Sequence, residues 1–514
     1  MTGLKRYQKK FRLATIAILL LSLFLMVVGP EKLVGAAQQI YNKWMVLTMI
    51  LDKIERFYVE EKDPDELLKN AIDGMLSGLD PHSLYIPAEA YKDYEKKFQG
   101  YVGVGLKYNI IGKQYVVTSL VENGPAVLAG VRVGDRIQTL EGRPVAQLSN
   151  TQIDELLSNA TEAAVTLEVS RPGHNEPFTF SLPARQIKVE SIPVAFKLNE
   201  TTGYIRIDHF KNSTPVELDF VFAELKGNGM KQLLLDLRNN CGGAFDAGVA
   251  VADRFIPAGK MIVFTQGRMP HSSEEFIATA SATLPYLPLV VLVNEATASD
   301  AEIVAGAIQD WDRGIIIGKR TFGKAMVQTE YPFQDGSVLL LTTARYYTPM
   351  GRLIQRDYTK LPGQEDTKTF KTPKGRTVYG GGGIVPDFEL QDPVQTTTSF
   401  MKTLYLAPQN PLFSFADAYV TESEPQMEML DFLHTFQVSD VLLEKFSAHM
   451  TNLGLQVSAS EFENNKSNLK SAIKTHIAWR MWGEEGRYTA LAKQDKQIQQ
   501  ALDYFQHANK LASR

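Results

Sequence analysis

Between Phe196 and Gly318 the chain alternates short apolar runs with amphipathic stretches, and this alternation constrains its fold more than any other feature. GYIRID, KQLLLDL, LPLVVLV and GIIIG have the length and residue types of strands, whereas FDAGVAVADRFI and SDAEIVAGAIQDW have helical spacing. Strands interleaved with helices predict an α/β unit. The junctions between them, where chemistry is usually placed, are the stretches to read closely.

The flanking segments differ in period. From Tyr41 to about Lys97 apolar residues recur at three-and-four spacing, which predicts helices. LDPHS, Leu79–Ser83, holds Asp80, His82 and Ser83, but residues this close cannot aim at one another in a hydrolytic relay, so the segment reads as a turn. Gly100 to about Ala184 is β-rich, with strands bounded by glycine turns and one short helix near Ala126–Ala129. Beyond GGGIVPDFEL, Gly381–Leu390, helical periodicity returns in patches such as DVLLEKF and KQIQQALDYF. The predicted boundaries are 1–36, 37–98, 99–186, 187–392 and 393–514.

At the N-terminus Lys5, Arg6, Lys9, Lys10 and Arg12 precede the uncharged stretch Leu13–Val28. That asymmetry predicts a secretory leader, cleaved near Gly35–Ala37, or a signal anchor in the inner membrane. Its 16 residues make about 24 Å of helix against a hydrocarbon core of about 30 Å, so a permanent span is short. Either way the remainder is expected in the periplasm or on the extracytoplasmic side of the envelope. A formal net charge of −4, with no basic stripe, excludes a nucleic-acid footprint. A single cysteine, Cys241, excludes an internal disulfide.

GIIIGKRTFGKAMVQ, Gly314–Gln328, contains G-x-x-x-x-G-K, which is most of a phosphate-binding loop. Ala325 stands where that loop needs a magnesium-binding hydroxyl, and MVQTEYPF reads as a strand where it needs a helix. Lys324 is therefore a surface lysine or a base. Upstream, LPLVVLVN runs into EATAS, and a helix begins directly after Ser299. The serine either caps that helix or presents a hydroxyl beside unpaired amides. In LLLDLRNNCGG, Gly242 and Gly243 permit either a plain tight turn or a turn that offers amides to an oxyanion. Together the three junctions supply a nucleophile, donors and a base. Cys241, on the same turn, is a rival nucleophile with no evident base; His209 and His271 lie in no motif.

NEATASDAEIVAGAIQDWDRGIIIGKRTFGKAMVQ closely resembles the carboxyl-terminal processing (tail-specific) protease family, which uses a Ser-Lys dyad with an associated glutamine. Ser299, Lys324 and Gln328 match the family's intervals of twenty-five and four positions. DLRNNCGG, LDPHS, VGVGL and GGGIVPD are also similar to the family's motifs. The resemblance, over about Tyr41–Leu390, implies a multidomain α/β fold with a crotonase- or Clp-like core, an inserted PDZ domain and helical terminal regions. It implies a serine peptidase with no cofactor and no metal. Its oxyanion donors would be the backbone amides of Gly243 and Asp300, and Gln328, on the same strand face as Lys324, would orient the amine. VGVGL, with Val102, Gly103, Val104, Gly105 and Leu106, would be the turn whose consecutive amides bind a substrate's C-terminal carboxylate. Expected partners are proteins or peptides with free C-termini, an adaptor, or a second copy of the chain. Asp300 replaces a commoner small residue and would weaken anion stabilisation unless it points outward; with Ala325, it leaves a non-catalytic PDZ adaptor as the alternative.

Overall fold

The computed structural model describes residues 30–99, 101–121, 123–158, 164–187, 190–279, 287–360, 367–390, 398–423 and 426–512. The described residues fall into two compact units, one up to Tyr85 and one from Ile86 onward. The apolar stretch Leu13–Val28 lies outside the described residues. In the first unit helices span Pro30–Phe57, which contains Gly35–Ala37, and Pro64–Leu76. The Asp63 side chain caps the second by accepting from the Asp65 amide, and proline occupies its first turn, where a missing N–H costs nothing. LDPHS is a turn: the Asp80 carboxylate accepts from the His82 amide and the Ser83 hydroxyl, both at 2.9 Å. None of the described helices is long and apolar enough to cross a membrane.

The β-rich module opens the second unit. Strands Leu106–Ile111, Gln114–Leu120, Arg136–Leu140, Val165–Ser170 and Phe178–Leu182 form an antiparallel sheet in that order, with helix Asn150–Ser158 against it. Tyr101–Gly103 pairs with Arg185–Ile187, so the module's entry and exit lie side by side. Its core is made by inward residues such as Val117, Ile137, Leu167 and Ile153.

The α/β unit is built on strands Val194–Lys197, Thr202–Arg206, Gln232–Asp236, Leu289–Val293, Ile315–Gly318 and Phe388–Glu389, adjacent in that order and parallel after the first pair. The central runs are apolar throughout because both faces are covered. Leu233, Leu235, Val291 and Val293 pack with helices Phe245–Asp253 and Asp300–Asp310. Leu234, Val290 and Leu292 face Ile498, Ala501 and Phe505 of the chain's tail. A second, antiparallel arrangement sets Val338–Tyr347 between Met261–Gly267 and Met326–Pro332. From Ser399 onward the described residues are helical, with a core of their own around Phe432, Phe446, Leu469 and Ile473.

Candidate active site

Ser299 stands between the strand Leu289–Val293 and the helix Asp300–Asp310 with φ 56° and ψ −118°. A non-glycine residue in such a conformation costs about 1–3 kcal/mol and persists only when its surroundings over-determine it. Two buried side chains do so, and both also hold Lys324. The Glu302 carboxylate accepts from the Ser299 amide at 2.9 Å and from the Lys324 and Gly323 amides at 2.9 and 2.8 Å. The Thr321 hydroxyl is a fourth donor to it. The Tyr346 hydroxyl shares its proton between the carbonyls of Lys324, 2.6 Å, and Ser299, 2.9 Å. The backbones of the two predicted dyad residues are thus tied together twice, once through their N–H groups and once through their C=O groups.

Burial governs the electrostatics. It pushes the Glu302 carboxyl up to about 7, against the pull of its four donors. It also raises the Tyr346 phenol well above its usual value, with Glu302 and Asp300 adding to the effect, so the hydroxyl stays protonated and can donate.

The Cys241-Gly242-Gly243 turn abuts this junction. Gly242 has φ 95°, and a Cβ there would lie 2.8 Å from the Ser299 Cβ. Gly243 bridges to Phe210, whose carbonyl oxygen would be 2.0 Å from an added Cβ, so no side chain fits. The Gly243 amide does meet an anion, but that anion is the Asp300 carboxylate. It accepts from the Gly243 amide at 2.6 Å. Asp300 therefore points inward, correcting the condition under which the sequence left the donors free. Its side chain fits because Gly248 leaves room: a Cβ on Gly248 would sit 2.6 Å from the Asp300 Cβ. Burial raises this carboxyl to about 6; the Gly243 amide, the Lys324 charge and its own amide pull it down, and Asp246 pushes it up.

Two further expectations need correction. The strand after Lys324 begins at Met326, so alternation along it does not extend to the lysine and does not put Gln328 on the lysine's face. The Gln328 amide nitrogen donates to the Thr342 hydroxyl at 3.1 Å, leaving its oxygen as the atom suited to accept from an amine. In VGVGL, Val102 and Gly103 lie in a strand, Gly105 has φ 74°, and Leu106 begins the next strand. The Val104 amide, however, donates to the Leu157 carbonyl at 3.0 Å and is not open to a carboxylate. Cys241 is exposed.

Three comparisons bear on this site. The model of peptidase family S41 matches residues 201–361, that of the PDZ domain matches 116–171, and one of a family of unknown function matches 405–483. The chain is 34% identical over 346 residues to a carboxy-terminal-processing protease of Bartonella bacilliformis, covering 66% of this chain and 79% of that one. The chain belongs to the S41 family of carboxy-terminal-processing proteases. It is likewise 30% identical over 386 residues to the carboxy-terminal processing protease CtpA of Bacillus subtilis, covering 72% and 82% of the two. The solved photosystem II D1 C-terminal processing protease matches at 29% identity and TM-score 0.35 over 68% of this chain and 88% of that one.

For this S41 peptidase, sequence reasoning overlooked the two side chains that join the junctions. Glu302 carried a local signal, since Ser-x-x-Glu ahead of an apolar run is a capping-box pattern. Tyr346 carried none, because it arrives on a strand 47 positions beyond Ser299.

Proposed function

We propose that this S41 peptidase is a serine endopeptidase that holds a protein substrate by its C-terminal residues in the PDZ domain and cuts the chain nearby. The observation that carries the reading is the double tie between the Ser299 and Lys324 backbones beside a Gly243 amide that already holds an anion. Lys324, as a neutral amine, takes the Ser299 Oγ proton while Oγ bonds to the scissile carbonyl carbon and the carbonyl electrons move to oxygen. The Gly243 and Asp300 amides receive that oxyanion once the Asp300 carboxylate has moved off the Gly243 amide. Collapse breaks the C–N bond, and the departing amine takes the proton from Lys324. Water then repeats the cycle and releases the acid. Gln328 accepts from the amine and orients it.

A fluorophosphonate that labels Ser299 in the wild type, and neither Ser299→Ala nor Lys324→Ala, tests this reading. Absence of labelling in both the wild type and Asp300→Ala would favour the non-catalytic PDZ adaptor.

The place of action is set by the five basic residues before Leu13–Val28, which keep the N-terminus cytoplasmic and direct the rest of the chain outward, anchored in or released from the inner membrane. A reporter active only outside the cytoplasm, fused after Gly100, should work. An abundant but inactive fusion refutes this placement.

A further inference from the structure

Strand Leu106–Ile111 lies at the end of its sheet, so one of its edges faces the groove in front of helix Asn150–Ser158. A cavity of about 670 Å³ occupies that groove, lined by Leu106, Tyr108, Ile110 and Leu157 of the PDZ domain and by Trp479 and Glu484 of the helical C-terminal region. The C-terminal region is fastened there. Phe413 packs with Ile111, Val116 and Val133, with Trp479 against the same cluster. The Asp417 carboxylate takes Arg480 at 2.7 Å on its own side and Arg136 of the PDZ sheet at 2.5 Å. Gly134, with φ 93°, lies at the contact, where an added Cβ would be 2.5 Å from the Arg480 guanidinium.

Trp479 is the informative member. Its indole Nε1–H is shielded from solvent and has no acceptor among the described residues, so a turn of the ring must accompany its presentation to the groove that the residue lines. Such a donor ordinarily has a partner, and one left without it is costly. A peptide added to the strand edge brings a row of main-chain carbonyls into this groove. If its terminal carboxylate sits at the turn before Leu106, the peptide runs antiparallel to the strand. Its upstream residues then pass Ile110 and Ile111, where Trp479 packs. At about 3.3 Å per residue, the distance from Leu106 to Ile111 corresponds to about four or five peptide residues.

We infer that the C-terminal helical region forms one wall of the substrate groove, and that Trp479 reads the peptide upstream of its terminus by donating its indole N–H to a main-chain carbonyl. This rests on the reading that the PDZ domain binds free C-termini. It assigns the region a part in substrate selection and makes recognition depend on peptide length as well as on the last residues.

The test uses full-length Ser299→Ala protein and the tightest binder from a library of fluorescein-labelled octapeptides with free C-termini, compared with its last four residues alone. Trp479→Phe keeps a ring against Phe413 but removes the N–H. It should weaken the octapeptide about three- to ten-fold, leave the tetrapeptide unchanged and leave Tm unchanged. Equal effects on both peptides, or no effect on the octapeptide while free-acid peptides still outbind amidated ones, overturn the role of Trp479 and leave C-terminal recognition intact. If free-acid and amidated octapeptides bind alike, or neither binds, C-terminal recognition fails and this inference fails with it.

Discussion

Replacing Asp300 with alanine should make the peptidase faster. In the resting geometry the Asp300 carboxylate occupies the Gly243 amide, one of the two donors proposed for the oxyanion, at 2.6 Å. With a pKa of about 6, it is roughly 99% ionised at pH 8. An oxyanion forming about 4 Å from this charge meets a repulsion of about 4 kcal/mol at an effective dielectric constant of about 20. That would be a factor of about 10³ in rate if the carboxylate stayed in place. Because the side chain can turn aside, a gain of at least about ten-fold is expected, up to that limit. A second effect has the same sign. The Lys324 charge lowers the Asp300 pKa, so by reciprocity the carboxylate favours the protonated lysine, which cannot act as a base.

The assay is the second-order rate constant of fluorophosphonate labelling of Ser299 from pH 5 to pH 9. The ratio of Asp300→Ala to wild type should be largest above pH 6 and should shrink about ten-fold toward pH 5, where wild-type Asp300 is neutral. Comparing the two proteins at each pH cancels most of the change due to protonation of the lysine. A folded Asp300→Ala protein that labels more slowly than wild type throughout would refute the reasoning. It would show that the carboxylate holds the Gly243 turn in its competent shape.

Three other outcomes are expected. Lys324→Arg should be as inactive as Lys324→Ala, because a guanidinium keeps the charge but cannot be deprotonated; peptide hydrolysis by the arginine variant contradicts the dyad. Tyr346→Phe removes the hydroxyl between the Ser299 and Lys324 carbonyls, costing about 1–3 kcal/mol. Urea unfolding should register that cost, and Ser299 labelling should slow while peptide binding to the PDZ groove is unchanged; unaltered labelling removes Tyr346 from the site's support. Asp300 and Glu302 have folded-state values of about 6 and about 7, above their unfolded ones. Their contribution to stability is complete below about pH 4 and is lost as pH rises through 6 and 7. Tm should therefore fall between pH 4.5 and 7.5, less steeply in Asp300→Asn, and equal slopes count against the assignment.

The sequence by itself determined the parts whose cause is local. Apolar runs of strand length, helical spacing after Ser299 and glycines at 242 and 243 dictate a strand–turn–helix order, because backbone sterics and periodicity act over a few residues. The intervals Ser299–Lys324 and Lys324–Gln328 were legible for the same reason, and so was the family they resemble. Tertiary structure alone decided where side chains from distant segments point. Asp300 turns inward because the strained Ser299 backbone and the space over Gly248 leave its carboxylate facing the Gly243 amide. Lys324 lies before the strand that carries Gln328, so strand alternation does not relate the two side chains. Tyr346 and the tail's Phe505 arrive from far along the chain, one at the dyad's carbonyls and the other on the second face of the sheet. Trp479 reaches the PDZ groove because a separate helical core docks there through Phe413 and Asp417. Such contacts are selected by packing and by pairing of buried charges between segments that no short window of sequence contains.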